Sequence, residues 1–141
     1  MMSIRSAALG DVAALQQLFL QLGYQTEPSP LSAHLAQGDS HRRILVAESG
    51  GVLYGVLVMN FIVPVHEAGT WAVISALVID EAYRGAGTGA QLLAAAEQIA
   101  RDQRCTQVEL SSSECRTRAH AFYEHNGYRE VRKRFVKRLA A

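Results

Sequence analysis

Apolar residues recur along the chain with two periods, one helical and one of two residues, and the switches between them mark out the elements. Ser3 to Ser6 reads as a short first strand. Leu15, Leu18, Phe19 and Leu22 share a helical face, which predicts a helix from about Gly10 to Leu22, with Asp11 near its positive end and Gly23 as terminator. Ser29-Pro30 predicts a second helix, Ser as cap and Pro in the first turn, running to about Gln37. Ile44–Glu48 and Val52–Val63 pattern as strands around the turn Ser49-Gly50-Gly51, and Pro64, which lacks an N–H, ends their pairing. Thr70–Ile79 is a further strand, and Ala90–Ala100 is a helix burying Leu92, Leu93, Ala96 and Ile99. Thr106–Ser111 alternates, with Val108 and Leu110 on one face and Glu109 and Ser111 on the other. Arg116–Asn126 reads as a helix ended by a left-handed Gly127, with Tyr128–Val131 and Arg134–Leu139 as two closing strands. The order β-α-α-β-β-β-α-β-α-β-β predicts a mixed α/β fold.

Composition narrows this picture. A chain of 141 residues with no repeat, linker or low-complexity run predicts one domain, residues 1–141. A net charge of +1 gives no basic field to argue for nucleic acid. The apolar stretch Val52–Val63 is interrupted by Gly55 and Asn60 and falls short of the roughly 20 residues a membrane helix needs. The N-terminal residues carry no signal-peptide apolar region, so no membrane association is expected. Cys105 and Cys115 stand without metal-ligand spacing and read as free thiols of a reducing cytoplasm; no metal is expected.

The candidate chemistry begins where the strand Thr70–Ile79 runs through Asp80-Glu81-Ala82-Tyr83 into Arg84-Gly85-Ala86-Gly87-Thr88-Gly89 and then a helix. Glycines admit positive φ and close approach of the main chain to a ligand. The first helical turn presents N–H groups without intrahelical partners at the positive end of the dipole. Arg84 adds a planar cationic fork. Together these features predict a seat for a phosphate or pyrophosphate. A P-loop would need Lys and Ser or Thr after the last glycine, but Ala90-Gln91 follow Gly89. The dinucleotide fingerprint is met by Gly85, Gly87 and Ala90, but five residues separate the strand from its first glycine, and the nearest acidic partner, Glu109, sits in mid-strand.

The third pattern, Arg84-x-x-Gly87-x-Gly89, resembles the acetyl-CoA loop of the GNAT N-acetyltransferase superfamily. A second stretch, Ala119-His120-Ala121-Phe122-Tyr123-Glu124-His125-Asn126-Gly127-Tyr128, is similar to that superfamily's C-terminal helix-turn-strand motif, and the two stand in the family's order. The resemblance covers nearly the whole chain and is strongest over residues 73–139. It implies a central, mostly antiparallel sheet of about six to seven strands flanked by about four helices. It also implies an acetyl-CoA-dependent N-acetyltransferase acting on a primary amine of a small molecule or peptide, with homodimers as a family-level expectation.

On this resemblance the amides of Gly85, Ala86, Gly87, Thr88 and Gly89, with Arg84, hold the pyrophosphate. Leu77, Val78 and Ile79 offer main-chain groups to the pantetheine arm where the strand splays from its neighbour, and an N–H near Leu77 or Val78 polarises the thioester carbonyl. Tyr123, matching the tyrosine of the family's Phe-Tyr pair, is the proton donor to the leaving thiolate; Phe122 packs the helix, and Ala119 lies on the same motif. For the base, the strand after Gly69 carries no acid and has Trp71 where some members use Glu. His66, Glu67, Glu109 and an ordered water all stand as candidates. Arg116 occupies a position where many members carry Asn. With Ala119-His120, Glu109-Leu110-Ser111 and the ending Arg134-Phe135-Val136-Lys137-Arg138-Leu139, it is similar to aminoalkylphosphonate acetyltransferases; Arg116 or Arg118 then faces a CoA phosphate or an anionic substrate. Tyr24, His34 and His41 lie in the segment that walls the acceptor pocket in the family. A non-catalytic acyl-CoA sensor on the same fold is the alternative, because fold does not fix function.

Overall fold

The structure is a computed structural model that describes residues 2–111, 117–131 and 135–139. Its contacts divide the chain into two units, Met1–Ser111 and Ser112–Ala141. The first unit holds strands β1 (Ser3–Ser6), β2 (Arg42–Ser49), β3 (Val52–Ile62), β4 (Thr70–Ile79) and β5 (Cys105–Leu110) with helices α1 (Val12–Leu22), α2 (Pro28–Ala36) and α3 (Thr88–Asp102). The second holds α4 (Thr117–His125).

The five strands form one sheet in chain order, antiparallel except for the parallel pair β4–β5. A parallel neighbour cannot be reached by a tight turn, so α3 serves as the crossover. Strand alternation sends Val46, Val56 and Val78 to one face, where they pack with Leu15, Leu18 and Leu31 of α1 and α2. The other face receives α3. There, Gly55 of β3 makes room, because a Cβ on it would sit 2.7 Å from Ile79 Cδ1, 3.0 Å from the Val78 carbonyl oxygen and 3.2 Å from Leu92 Cδ1. Gly55→Ala is therefore expected to destabilise the fold by about 1–2 kcal/mol, the cost of overpacking. A midpoint shift in urea at unchanged m checks it.

The mixed α/β class is as the sequence predicts, and β4 spans Thr70–Ile79 as read from its pattern. Several boundaries differ. The second helix opens at Pro28, capped by the extended Glu27, so it is this proline rather than Ser29-Pro30 that takes the helix entry. The first helix is preceded by a 3-10 turn at Leu9–Asp11. The helix of the glycine loop begins two residues early, at Thr88. The larger difference is the strand count, which is five rather than six to seven among the described residues. Tyr128–Val131 and residues 135–139 are not strands, and Arg134 lies outside the described residues. Both stretches mix apolar and charged residues, but a strand also needs a partner ladder for its main chain, and local composition does not supply one.

Asp11 does more than face a helix dipole. Its carboxylate accepts two hydrogen bonds from the Arg5 guanidinium, at 2.8 and 2.9 Å, and one from the Ala8 N–H at 2.7 Å. Arg5 also holds Glu48 at 2.8 Å, which ties β1, β2 and the entry to α1 together. Only 8% of Asp11 is exposed, so the charge is paired rather than solvated. The Arg5 hydrogen bonds hold its carboxyl below the usual carboxylate range against the opposing effect of burial.

Candidate functional site

The glycine loop is built as its composition demands. Gly85 and Gly87 sit at φ 87° and 82°, in the left-handed region that a residue with a Cβ rarely adopts. A Cβ at either position would meet nothing within 4 Å, so glycine is there for conformation rather than for space. Gly87 caps α3, and the first intrahelical bond runs from the Gln91 N–H to the Gly87 carbonyl at 3.1 Å. The amides of Thr88, Gly89 and Ala90 precede that bond and have no acceptor of their own in the helix. Gly85, Ala86 and Gly87 are exposed, whereas Thr88 and Gly89 are buried beneath them. The exposed Arg84 donates from Nε to the Ile79 carbonyl at 3.4 Å, which folds it back over the end of β4.

Beside the loop, the β4–β5 ladder stops early. Its last pair is Ile74 with Leu110, and β5 ends there, while β4 continues to Ile79. Along 75–79, including Leu77, Val78 and Ile79, β4 keeps β3 on one side and has no β5 partner on the other. The β3–β4 register also shifts at this point, leaving Ser75 as an extra residue whose hydroxyl accepts from Asn60 Nδ2 at 3.1 Å. A bulge bends its strand and re-aims the residues beyond it.

The base candidates gather at the opposite end of β4. His66 Nε2 lies 3.7 Å from Glu67 Oε2, and the His66 ring meets Trp71 edge-on at 5.8 Å between centroids. Trp71 pairs with Gln107, whose side-chain amide donates to Glu109 at 3.0 Å, and Glu109 pairs with Val73. Paired residues share a face, so Trp71, Gln107 and Glu109 line one side of the sheet at its β4 start. The length of β4, roughly 30 Å at about 3.3 Å per residue, separates His66 and Glu67 from the glycine loop.

In the second unit the Phe-Tyr and Gly-Tyr pairs have a plain structural cause. The Gly127 N–H donates to the Glu124 carbonyl at 3.1 Å and the Tyr128 N–H to the Tyr123 carbonyl at 3.0 Å, with Gly127 at φ 92°. This is the Schellman termination, and its usual apolar contact is present, since the Tyr123 and Tyr128 rings lie 6.3 Å apart. Phe122 meets Tyr123 edge-on at 5.5 Å. Ala119, Phe122 and Tyr123 are all half-buried. Arg116 and Cys115 lie outside the described residues. Burial pushes the Cys105 thiol up. Among the described residues no group of three or more His, Cys, Asp or Glu is placed to hold a metal, and no helix is long and apolar enough to cross a membrane.

Strand, left-handed glycine loop, helix head and an early-ending parallel neighbour make a fold that can seat an extended phosphate-bearing ligand, and the chain belongs to the acetyltransferase (GNAT) family, which it matches over residues 10–128. It is 34% identical over 119 residues to an aminoalkylphosphonate N-acetyltransferase of Salmonella typhimurium, covering 84% of this chain and 76% of that protein. Among solved structures, a putative acetyltransferase from Agrobacterium tumefaciens superposes with a TM-score of 0.85 at 27% identity, over 96% of this chain and 99% of the other. A transcriptional regulator from Bacillus halodurans C-125 superposes at 0.86 and 23% identity, over 99% and 100%, a likeness of fold alone.

Proposed function

We propose that the chain is a single GNAT domain that transfers the acetyl group of acetyl-CoA to the primary amine of a small molecule by direct attack in a ternary complex. The observation that carries this reading is the continuous run from residues 75–79 of β4, which pair with no strand beyond β3 among the described residues, into the left-handed Gly85–Gly87 turn and the α3 N-terminus. The main chain there offers hydrogen-bonding groups along a path that an extended arm ending in a diphosphate would follow. The family match across residues 10–128 supports treating both units as one domain.

In the proposed reaction the neutral amine nitrogen attacks the thioester carbonyl, and a tetrahedral oxyanion forms. An N–H near Leu77 or Val78 stabilises it. The C–S bond then breaks, the thiolate takes the Tyr123 phenolic proton, and the ammonium nitrogen loses its proton to a base. Arg84 and the 85–89 amides hold the diphosphate, and Arg116 or Arg118 meets a phosphate of the cofactor or an anionic acceptor. The 34% identical relative makes aminoalkylphosphonates the first acceptors to test.

The test is CoA release over a panel of aminoalkylphosphonates, amino acids, polyamines and aminoglycosides. Turnover with one class supports the reading; tight CoA binding with no turnover on any amine favours the sensor. If a side chain is the base, alanine at one of His66, Glu67 or Glu109 is expected to lower kcat by about 10²-fold and alter the acid limb of the pH–rate profile. Unchanged profiles for all three leave the proton to an ordered water.

A further inference from the structure

The proposed function gives no role to the 3-10 turn Glu81–Tyr83 that joins β4 to the glycine loop. This turn is nevertheless held at three points, two on β3 and one on α1. The Tyr83 ring stacks on Tyr54 of β3, with centroids 3.9 Å apart and planes 9° from parallel. The Asp80 N–H donates to the Tyr54 carbonyl at 2.8 Å. The Glu81 N–H donates to Gln21 Oε1, from the last turn of α1, at 3.0 Å. Asp80 closes the turn itself, its side chain accepting from the Ala82 N–H at 2.9 Å and its carbonyl from the Tyr83 N–H at 2.8 Å.

Downstream the situation reverses. The Cβ positions of Gly85 and Gly87 face open space, and glycine has the widest conformational choice of any residue. A loop of this kind keeps a defined shape only through its ends. One end is the buried Thr88–Gly89 start of α3, and the other is Tyr83, two residues before Gly85. We infer that Tyr54 and Tyr83 are positioning residues for the diphosphate of coenzyme A: their stack fixes the entry of the loop, so that its amides converge before the ligand arrives. Gln21 is the secondary hold. Neither ring touches the ligand; the stack lowers the ordering cost that binding would otherwise carry. The inference rests on the reading that residues 84–90 seat coenzyme A.

Calorimetric titration of the full chain with CoA separates the two claims. Wild type is compared with Tyr83→Ala, Tyr83→Phe, Tyr54→Leu and Gln21→Ala, with pantetheine, which has the arm but no diphosphate, as the control ligand. Tyr83→Ala and Tyr54→Leu are expected to weaken CoA binding about tenfold, as befits releasing one or two ordered residues, and to leave pantetheine binding within about twofold. Tyr83→Phe, which keeps a stacking ring, is expected to restore wild-type affinity, and Gln21→Ala to cost roughly threefold. Should either large-to-small variant fail to fold, Gln21→Ala decides, since its side chain is exposed and outside the core. Equal CoA affinity in the folded variants overturns the inference, as does an equal loss for pantetheine, which would make the stack a general support of the fold. A wild-type chain that binds no CoA overturns the parent reading instead.

Discussion

Tyr123→Phe is expected to lower kcat by about 10²-fold or more while changing the KM for acetyl-CoA by less than about threefold. The substitution removes one oxygen and leaves the ring, so the packing of Tyr123 against Phe122 and Tyr128 survives. The Schellman bonds survive too, because they use main-chain atoms of Tyr123, Glu124, Gly127 and Tyr128. In the proposed mechanism, what disappears is the proton source for the leaving thiolate. A loss confined to kcat is the signature of a group that acts only in the transition state. The effect should be smallest for thioesters whose thiol has a low pKa, since a better leaving group needs less protonation. Steady-state kinetics at saturating amine measures it, and turnover within about twofold of wild type would remove Tyr123 from the reaction.

Asp11→Asn is expected to cost about 2–3 kcal/mol of folding stability, the range for hydrogen bonds to a charged group, and to lower Tm by roughly 5–10 °C. The amide keeps the shape of the carboxylate but brings an NH2 where Arg5 and the Ala8 N–H both donate. The pH dependence has a definite sign. Asp11 has a lowered pKa in the folded chain because of the Arg5 hydrogen bonds, so its contribution is fully present above the unfolded carboxylate value of about 4. It is lost as pH falls from there through the lowered folded value. The gap between wild type and Asp11→Asn should therefore be constant from about pH 5 upward and narrow below about pH 4. Urea unfolding at a series of pH values measures the gap; one that widened on acidification would contradict the assignment.

Local chemistry was legible in the chain, and distant pairing was not. Gly69 and Asp80 flank a largely apolar run broken only by Ser75 after its opening Thr70, so both ends of β4 could be read off. Gly127 and Tyr128 announced a helix terminus, and the structure supplies the bonds. Gly85 and Gly87 announced a left-handed loop and adopt one. By contrast, the Arg5–Asp11–Glu48 network joins residues 43 positions apart, and no spacing rule relates them. The Tyr54–Tyr83 stack is similar, since each tyrosine alone reads as an ordinary half-buried aromatic. Pro28 and Pro30 compete for the same helix entry, and the serine between them places the expected cap two residues past the observed one, Glu27. The base candidates came from two separate stretches, His66-Glu67 and Glu109; the parallel β4–β5 register brings Glu109 to the Trp71 end of the sheet, and periodicity cannot supply that register.

The early end of β5 has a consequence for how the protein reports its own occupancy. Among the described residues, amide protons in 75–79 that do not point toward β3 lack the β5 ladder that protects those of Thr70 to Ile74, so in the empty chain they should trade with deuterium quickly. An extended guest that takes up those amides would slow the trade there and leave the outer strands unchanged. The footprint of such a guest would thus be written in the isotope pattern of a single half-strand.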